Sequence, residues 1–131
     1  MSDTVIRQMD HLHKNQRPDL KFEKMDATAM DFKDDRFNVI LDKGTLDAMF
    51  TDESTETVAN IHRLFSEIER VLHFGGRYIC VSLLQPHILS HLVAWFVDHG
   101  WPLRILRCTE VDVSKNPEGE KVFLECRCFR T

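Results

Sequence analysis

The stretch LDKGTLDAM, residues 41–49, sets Asp42, Lys43 and Asp47 around Gly44. It follows RFNVI, an apolar run that reads as a buried strand, and a core favours none of those three charges. Aspartates there either mark a strand's exit to solvent, bonding local amides as in Asx turns, or line a functional edge. On such an edge a carboxylate can accept hydrogen bonds from a ligand's donors. Asp26, in KMDATAM, poses the same choice.

Other reactive side chains form weaker patterns. His87 and His91 stand four apart on one helical face, but no third ligand accompanies them, so no metal site is expected. His11 and His13 are two apart on a helix and do not share a face. The cysteines are Cys80, Cys108, Cys126 and Cys128, and the CRC spacing puts the last two on one face of a strand. Zinc sites normally use Cys-x-x-Cys loops with further ligands close by, which this pattern lacks. Buried reduced thiols are the expectation, and they suit a cytosolic protein.

The elements that must position these residues follow from periodicity. Ser2 caps a helix through DTVIRQMDHLHK, with Val5, Met9 and Leu12 on one face. NQRPD breaks it. LKFEKMD is a short strand candidate, ATAMDFKDDR a polar loop, and FNVILD a strand expected to be covered on both faces. From Ser54, Val58, Ile61, Leu64, Phe65, Ile68, Val71 and Leu72 recur at helical spacing, with Arg63 and Glu67 at pairing distance on the outer surface. HFGG stops that helix, with Gly75 as a left-handed cap. RYICVSLL is another buried strand. Pro86 opens a second helix with Ile88, Leu89, Leu92, Val93, Phe96 and Val97 as its stripe, and Trp95 and Phe96 suit packing. LRILRCTEV and KVFLECRCFR, joined by the turn SKNPEGE, read as an antiparallel pair.

This order predicts an α/β fold: a mainly parallel sheet closed by a C-terminal antiparallel hairpin, with the strands near 37–41 and 78–83 as parallel neighbours. In such a sheet the ligand crevice lies beyond the carboxyl ends of the strands. DKGTLD, Asp26 and Ser82 then share one edge. The chain's 131 residues suit a single domain, 1–131, and no internal repeat or linker divides it. No apolar run reaches the length of a membrane span, and MSDTVIRQMD lacks the layout of a signal peptide. A net charge of −4 argues against a large nucleic-acid surface.

FNVILDKGTLDAM, followed by VANIHRLFSEIERVL and GGRYICVSL, resembles the later part of a class I S-adenosylmethionine-dependent methyltransferase. Within that superfamily it is similar to the methyltransferase-like group that modifies translation elongation factor 1-alpha, whose strand ends read [Asp/Glu]-Lys-Gly-Thr-Leu-Asp-Ala. The similarity runs along the whole chain and weakens after Val111. Family members begin this domain with a strand and a Gly-x-Gly loop under the cofactor's methionine moiety, and a second strand ends in a ribose-binding acid. The 131 residues contain no such loop; Gly75 and Gly76 sit after a helix and before a strand. The resemblance therefore implies an N-terminally truncated, partial Rossmann-like sheet lacking the first two strands. Its exposed edge would be open to pairing with another chain.

The resemblance also implies roles. Asp26 matches the acidic position near the adenine, with Ala27 following along the cofactor's edge. Asp42 would face the sulfonium or the incoming amine, and Asp47 is a second carboxylate beside it. Lys43 is a solvated or substrate-facing charge, while Gly44 and Thr45 shape the loop. The implied function is S-adenosylmethionine-dependent methylation of a protein lysine on an elongation factor, in the cytoplasm. The alternative is a catalytically inactive, truncated methyltransferase-like interaction module.

Overall fold

The computed structural model describes residues 2–106 and the backbone of residues 107 and 122–127. In chain order these form α1 (Asp3–His13), β1 (Phe37–Lys43), α2 (Thr45–Met49), α3 (Thr55–Val71), β2 (Leu72–Ser82), α4 (Pro86–Asp98), β3 (Leu103–Arg107) and β4 (Val122–Arg127). Cys108, Cys128 and the SKNPEGE turn lie outside the described residues, as does the side chain of Cys126.

The strands make one sheet in the order β1-β2-β4-β3. β1 and β2 run parallel, with Ile40 opposite Tyr78 and Asp42 opposite Cys80. β4 is antiparallel to both β2 and β3. The α/β class, the parallel β1–β2 pair and the C-terminal antiparallel pair all follow the sequence pattern. LKFEKMD does not form a strand: residues 20–26 are irregular. A strand exists through its ladder, and this segment pairs with none of the described strands.

α3 begins where Ser54 Oγ accepts from Thr57 N at 3.3 Å, with Glu56 in its first turn and Arg70 in its last, as the helix dipole favours. Its buried face is Ile61, Leu64, Phe65, Ile68 and Val71. Ile88, Leu92 and Phe96 of α4 join that face, with Trp101 just beyond. The predicted α4 stripe is narrower than expected, because Val97 is 57% exposed. Both helices pack with Tyr78 and Cys80 on one face of the sheet.

The other face is open at β1. Val39 is 54% and Leu41 66% exposed, so FNVILD is covered on one side rather than two. α1 leaves its expected face largely bare as well. None of its residues is buried, and Val5 and Leu12 are exposed. Its cap is as predicted, with Ser2 Oγ accepting from Val5 N at 3.3 Å.

Gly75 does not cap α3. The chain passes from α3 into β2 through Leu72 in extended conformation, and Gly75 takes φ +76° inside the strand. The pairing with β1 jumps from Phe37–Leu72 to Val39–Arg77, so the HFGG segment is a bulge. No helix among the described residues is long and apolar enough to cross a membrane.

Candidate functional site

β1 ends at Lys43, and Gly44, at φ +81°, turns the chain into the short helix α2. This turn forms one wall of a cleft of about 760 Å³. The facing wall is the irregular segment 23–27, and Ala48 and Met49 complete the lining. Asp26 and Ala27 thus meet Lys43, Gly44 and Thr45 at the carboxyl edge of the sheet, as the sequence predicts. The cleft's size falls within the range of small-molecule sites.

Asp26 is anchored locally. Its Oδ1 accepts from Thr28 N at 2.8 Å and from Thr28 Oγ1 at 2.7 Å. Those two bonds, the side-chain one first, hold its carboxyl below the usual carboxylate range, and the charge of Arg63 adds to them. Oδ2 has no partner among the described residues, so it remains an open acceptor.

Asp42 lies beneath the cleft wall instead of on it. It is 7% exposed and accepts from three donors. Oδ1 takes Thr45 N at 2.9 Å and Leu46 N at 3.4 Å, and Oδ2 takes Leu46 N at 3.3 Å and Tyr78 Oη at 2.9 Å. The carboxylate therefore caps α2 from below, where Gly44 has no side chain to do so. Burial first, then the neighbouring Cys80 and Asp42, pushes the Tyr78 phenol well above its ordinary value, which keeps it a donor. Burial, and then the Asp42 carboxylate, also push the Cys80 thiol up to about 12, so it remains protonated and is a poor nucleophile.

Asp47 faces a second, smaller hollow of about 180 Å³, lined by Lys43, Gly44, Val81, Ser82 and Leu83. Its carboxylate accepts from Ser82 Oγ and from Leu83 N, the latter at 3.1 Å. It thereby ties α2 to the turn that leaves β2. Lys43 and Gly44 line both hollows and separate them.

The segment after Asp26 is pinned to α3. Glu67 Oε2 accepts from Met30 N at 2.7 Å, while Arg70 donates to the carbonyls of Met30 and Phe32 and to Asp34 Oδ1. Glu67 and Arg70 bond each other at 2.7 Å. Glu67 therefore pairs with Arg70 and not with Arg63, which bonds Asn60. Arg70 holds the Glu67 carboxyl below its ordinary range, and Met30 N assists.

The histidine pair has other partners. His87 Nε2 meets Phe50 O at 3.0 Å and His91 Nε2 meets Glu53 Oε1 at 3.6 Å, with Phe50 packed against both rings. Among the described residues no group of three or more His, Cys, Asp or Glu side chains is placed to hold a metal ion.

The bonds of Tyr78 to Asp42 and of Glu67 and Arg70 to the segment after Asp26 were not expected from the sequence. Tyr78 and Asp42 share a face because Ile40 pairs with Tyr78 and Asp42 with Cys80, a register that parallel pairing alone does not fix. The protein's single tyrosine, buried with a polar tip, then needs a partner.

An α/β sheet with a cleft beyond its carboxyl edge places the molecule in the Rossmann-like class. The solved structures agree on the fold. YcgJ of Bacillus subtilis superposes with a TM-score of 0.69 at 14% identity, covering 99% of this chain and 80% of that one. Geranyl diphosphate methyltransferase superposes at 0.67 and 12% identity, covering 96% and 60%.

The chain belongs to the methyltransferase domain family, whose model matches residues 1–112. It is 49% identical over 112 residues to the eEF1A lysine and N-terminal methyltransferase homolog of Drosophila pseudoobscura pseudoobscura, covering 86% of this chain and 17% of that protein. To the human eEF1A lysine and N-terminal methyltransferase it is 48% identical over 105 residues, covering 80% and 15%. With the Danio rerio protein of the same name the identity is 42% over 136 residues, covering 99% and 19%. The chain thus spans less than a fifth of the length of these relatives.

Proposed function

We propose that residues 1–131 form part of a cytoplasmic, S-adenosylmethionine-dependent protein methyltransferase whose acceptor is an amine of elongation factor 1-alpha. The observation that carries this reading is the cleft uniting residues 23–27 with 43–45, in a chain 49% identical to a protein named for that activity. The cleft suits the adenosyl end of the cofactor. Asp26 Oδ2 is an open acceptor for an exocyclic amine, and Met25, Ala27, Ala48 and Met49 supply apolar surface for a purine.

The cofactor, when bound, supplies a methyl group on a cationic sulfonium. The chain's own part is positioning, which dominates an in-line displacement. Asp26 and Ala27 orient the adenosyl end, and Glu67 and Arg70 fix the segment that follows them. Gly44 and Thr45 wall off the cleft, and Asp47 sets the hollow on the other side, where an amine could be presented to a carboxylate.

Titrating the 131-residue chain with S-adenosylhomocysteine, followed by amide chemical shifts, tests the site even where binding is weak. Shifts concentrated at Asp26, Ala27, Gly44 and Thr45 support it, with methyl transfer to purified elongation factor 1-alpha as the functional arm. A titration to several millimolar that leaves those amides unmoved would favour an interaction module without catalysis.

A further inference from the structure

Asp42 and Tyr78 make a pair that packing alone does not require. Tyr78 is fully buried between the sheet and α4, its ring 5.9 Å from that of Phe96. A phenylalanine would fill the same space without a hydroxyl to satisfy. Asp42 is a carboxylate removed from solvent, which is costly unless donors surround it. Those donors are the Tyr78 hydroxyl below and the amides of Thr45 and Leu46 above. Both amides belong to the turn that walls the cleft, where Gly44 already sits in left-handed conformation. The polar pair thus links the helix-covered core to one wall of the site, the Lys43-Gly44-Thr45 turn.

We propose that Tyr78 and Asp42 are positioning residues of the cleft: the phenol locks the carboxylate, and the carboxylate fixes the turn against which the adenosyl ligand rests. Neither group touches the ligand. The proposal rests on the methyltransferase reading of the cleft, and it makes Asp42 a structural clamp at a distance from the reacting atoms. It also predicts which substitution should be tolerated. An asparagine at position 42 keeps an oxygen for the Thr45 and Leu46 amides, and its amide group can donate to the Tyr78 oxygen in turn. An alanine removes both links, and Tyr78→Phe removes the lower one alone.

The test compares wild type, Asp42→Asn, Asp42→Ala and Tyr78→Phe by two readouts. These are residue-resolved amide hydrogen exchange and the S-adenosylhomocysteine dissociation constant from chemical-shift titration. Exchange at Thr45 and Leu46 should accelerate at least tenfold in Asp42→Ala, several-fold in Tyr78→Phe and under threefold in Asp42→Asn, while α3 amides keep their protection. The dissociation constants should rise in the same order, with Asp42→Asn within about threefold of wild type. A variant that fails to fold is judged by its partner: Asp42→Asn and Tyr78→Phe are both near-isosteric. Unchanged exchange in Tyr78→Phe overturns the proposal. So does an Asp42→Asn loss as large as that of Asp42→Ala, which would mark a carboxylate acting directly on ligand. If wild type binds no ligand but exchange follows the stated order, the methyltransferase reading fails and the clamp stands.

Discussion

Glu67 and Arg70 bond each other at 2.7 Å on the last turns of α3, and between them hold Met30 and Phe32 by their backbones. A charged pair that also satisfies main-chain groups is stronger than an exposed ion pair. Glu67 is 17% exposed, so solvent screens it only in part. Its carboxyl is held below the ordinary value, chiefly by Arg70. A depressed pKa in the folded state means that the unfolded chain takes up the proton first. The contribution is then full above the unfolded carboxylate pKa of about 4.3 and fades as pH falls through the lower folded value. Glu67→Gln should cost about 1 kcal/mol near neutral pH. The gap between variant and wild type should narrow as pH falls below about 4.3, as measured by urea unfolding at a series of pH values.

Two glycines should resist substitution for different reasons. A Cβ at Gly76 would lie 2.7 Å from His73 O, 2.8 Å from Leu72 Cγ and 2.9 Å from Asn38 O. Two of those three atoms are backbone, so the bulge or β1 must move. Gly76→Ala should lose about 1–3 kcal/mol. At Gly44 nothing lies within 4 Å of an added Cβ, but φ is +81°. Gly44→Ala should therefore cost about 1–2 kcal/mol through backbone strain alone, and Gly44→Asn less, since asparagine tolerates that region. Chemical denaturation of the three variants ranks them.

What could be read beforehand divides along a physical line. The α3 and α4 helices were legible because Ile61, Leu64, Phe65, Ile88, Leu92 and Phe96 recur at a period that only a helix presents to one core. The cleft was legible in outline, since Asp26 and Gly44 both end apolar segments at one sheet edge. Neighbour-dependent features were not. LKFEKMD has strand composition but no ladder. FNVILD is apolar on both faces, and composition could not say that Val39 and Leu41 would face open space. Asp42 looked like a group facing a ligand because its type and position fit one. That its oxygens turn inward to Tyr78 depends on side-chain register across two strands.

Asp26 should matter to ligand binding more than to folding. Its side chain is exposed and, among the described residues, bonds only Thr28, through one oxygen. Asp26→Ala should weaken S-adenosylhomocysteine binding by about tenfold, the value of one hydrogen bond to a charged acceptor. Thr28→Val, which removes one of the carboxylate's anchors, should weaken it less. Thermal unfolding midpoints of both variants should stay close to wild type. A large stability loss with unchanged affinity would make Asp26 a turn residue and nothing more.

The last prediction concerns β1. Among the described residues it pairs on one side only, with β2, and its other edge offers free backbone groups. Val39 and Leu41 flank Ile40 on the uncovered face, 54% and 66% exposed. Unpaired edges with exposed β-branched and aliphatic side chains are templates for pairing with another strand. In a two-fold antiparallel pairing centred on Ile40, Val39 of one copy would stand opposite Leu41 of the other, and each would gain an apolar cross-strand neighbour. The 131-residue polypeptide should therefore self-associate as its concentration rises. Val39→Lys and Leu41→Lys should each suppress this, because like charges accumulate along the edge. The α3–α4 side of the sheet should be untouched, since both residues face away from it. Sedimentation velocity over a hundredfold concentration range decides the matter. A wild-type chain that stays monomeric throughout would mean that this edge is guarded by something other than strand pairing.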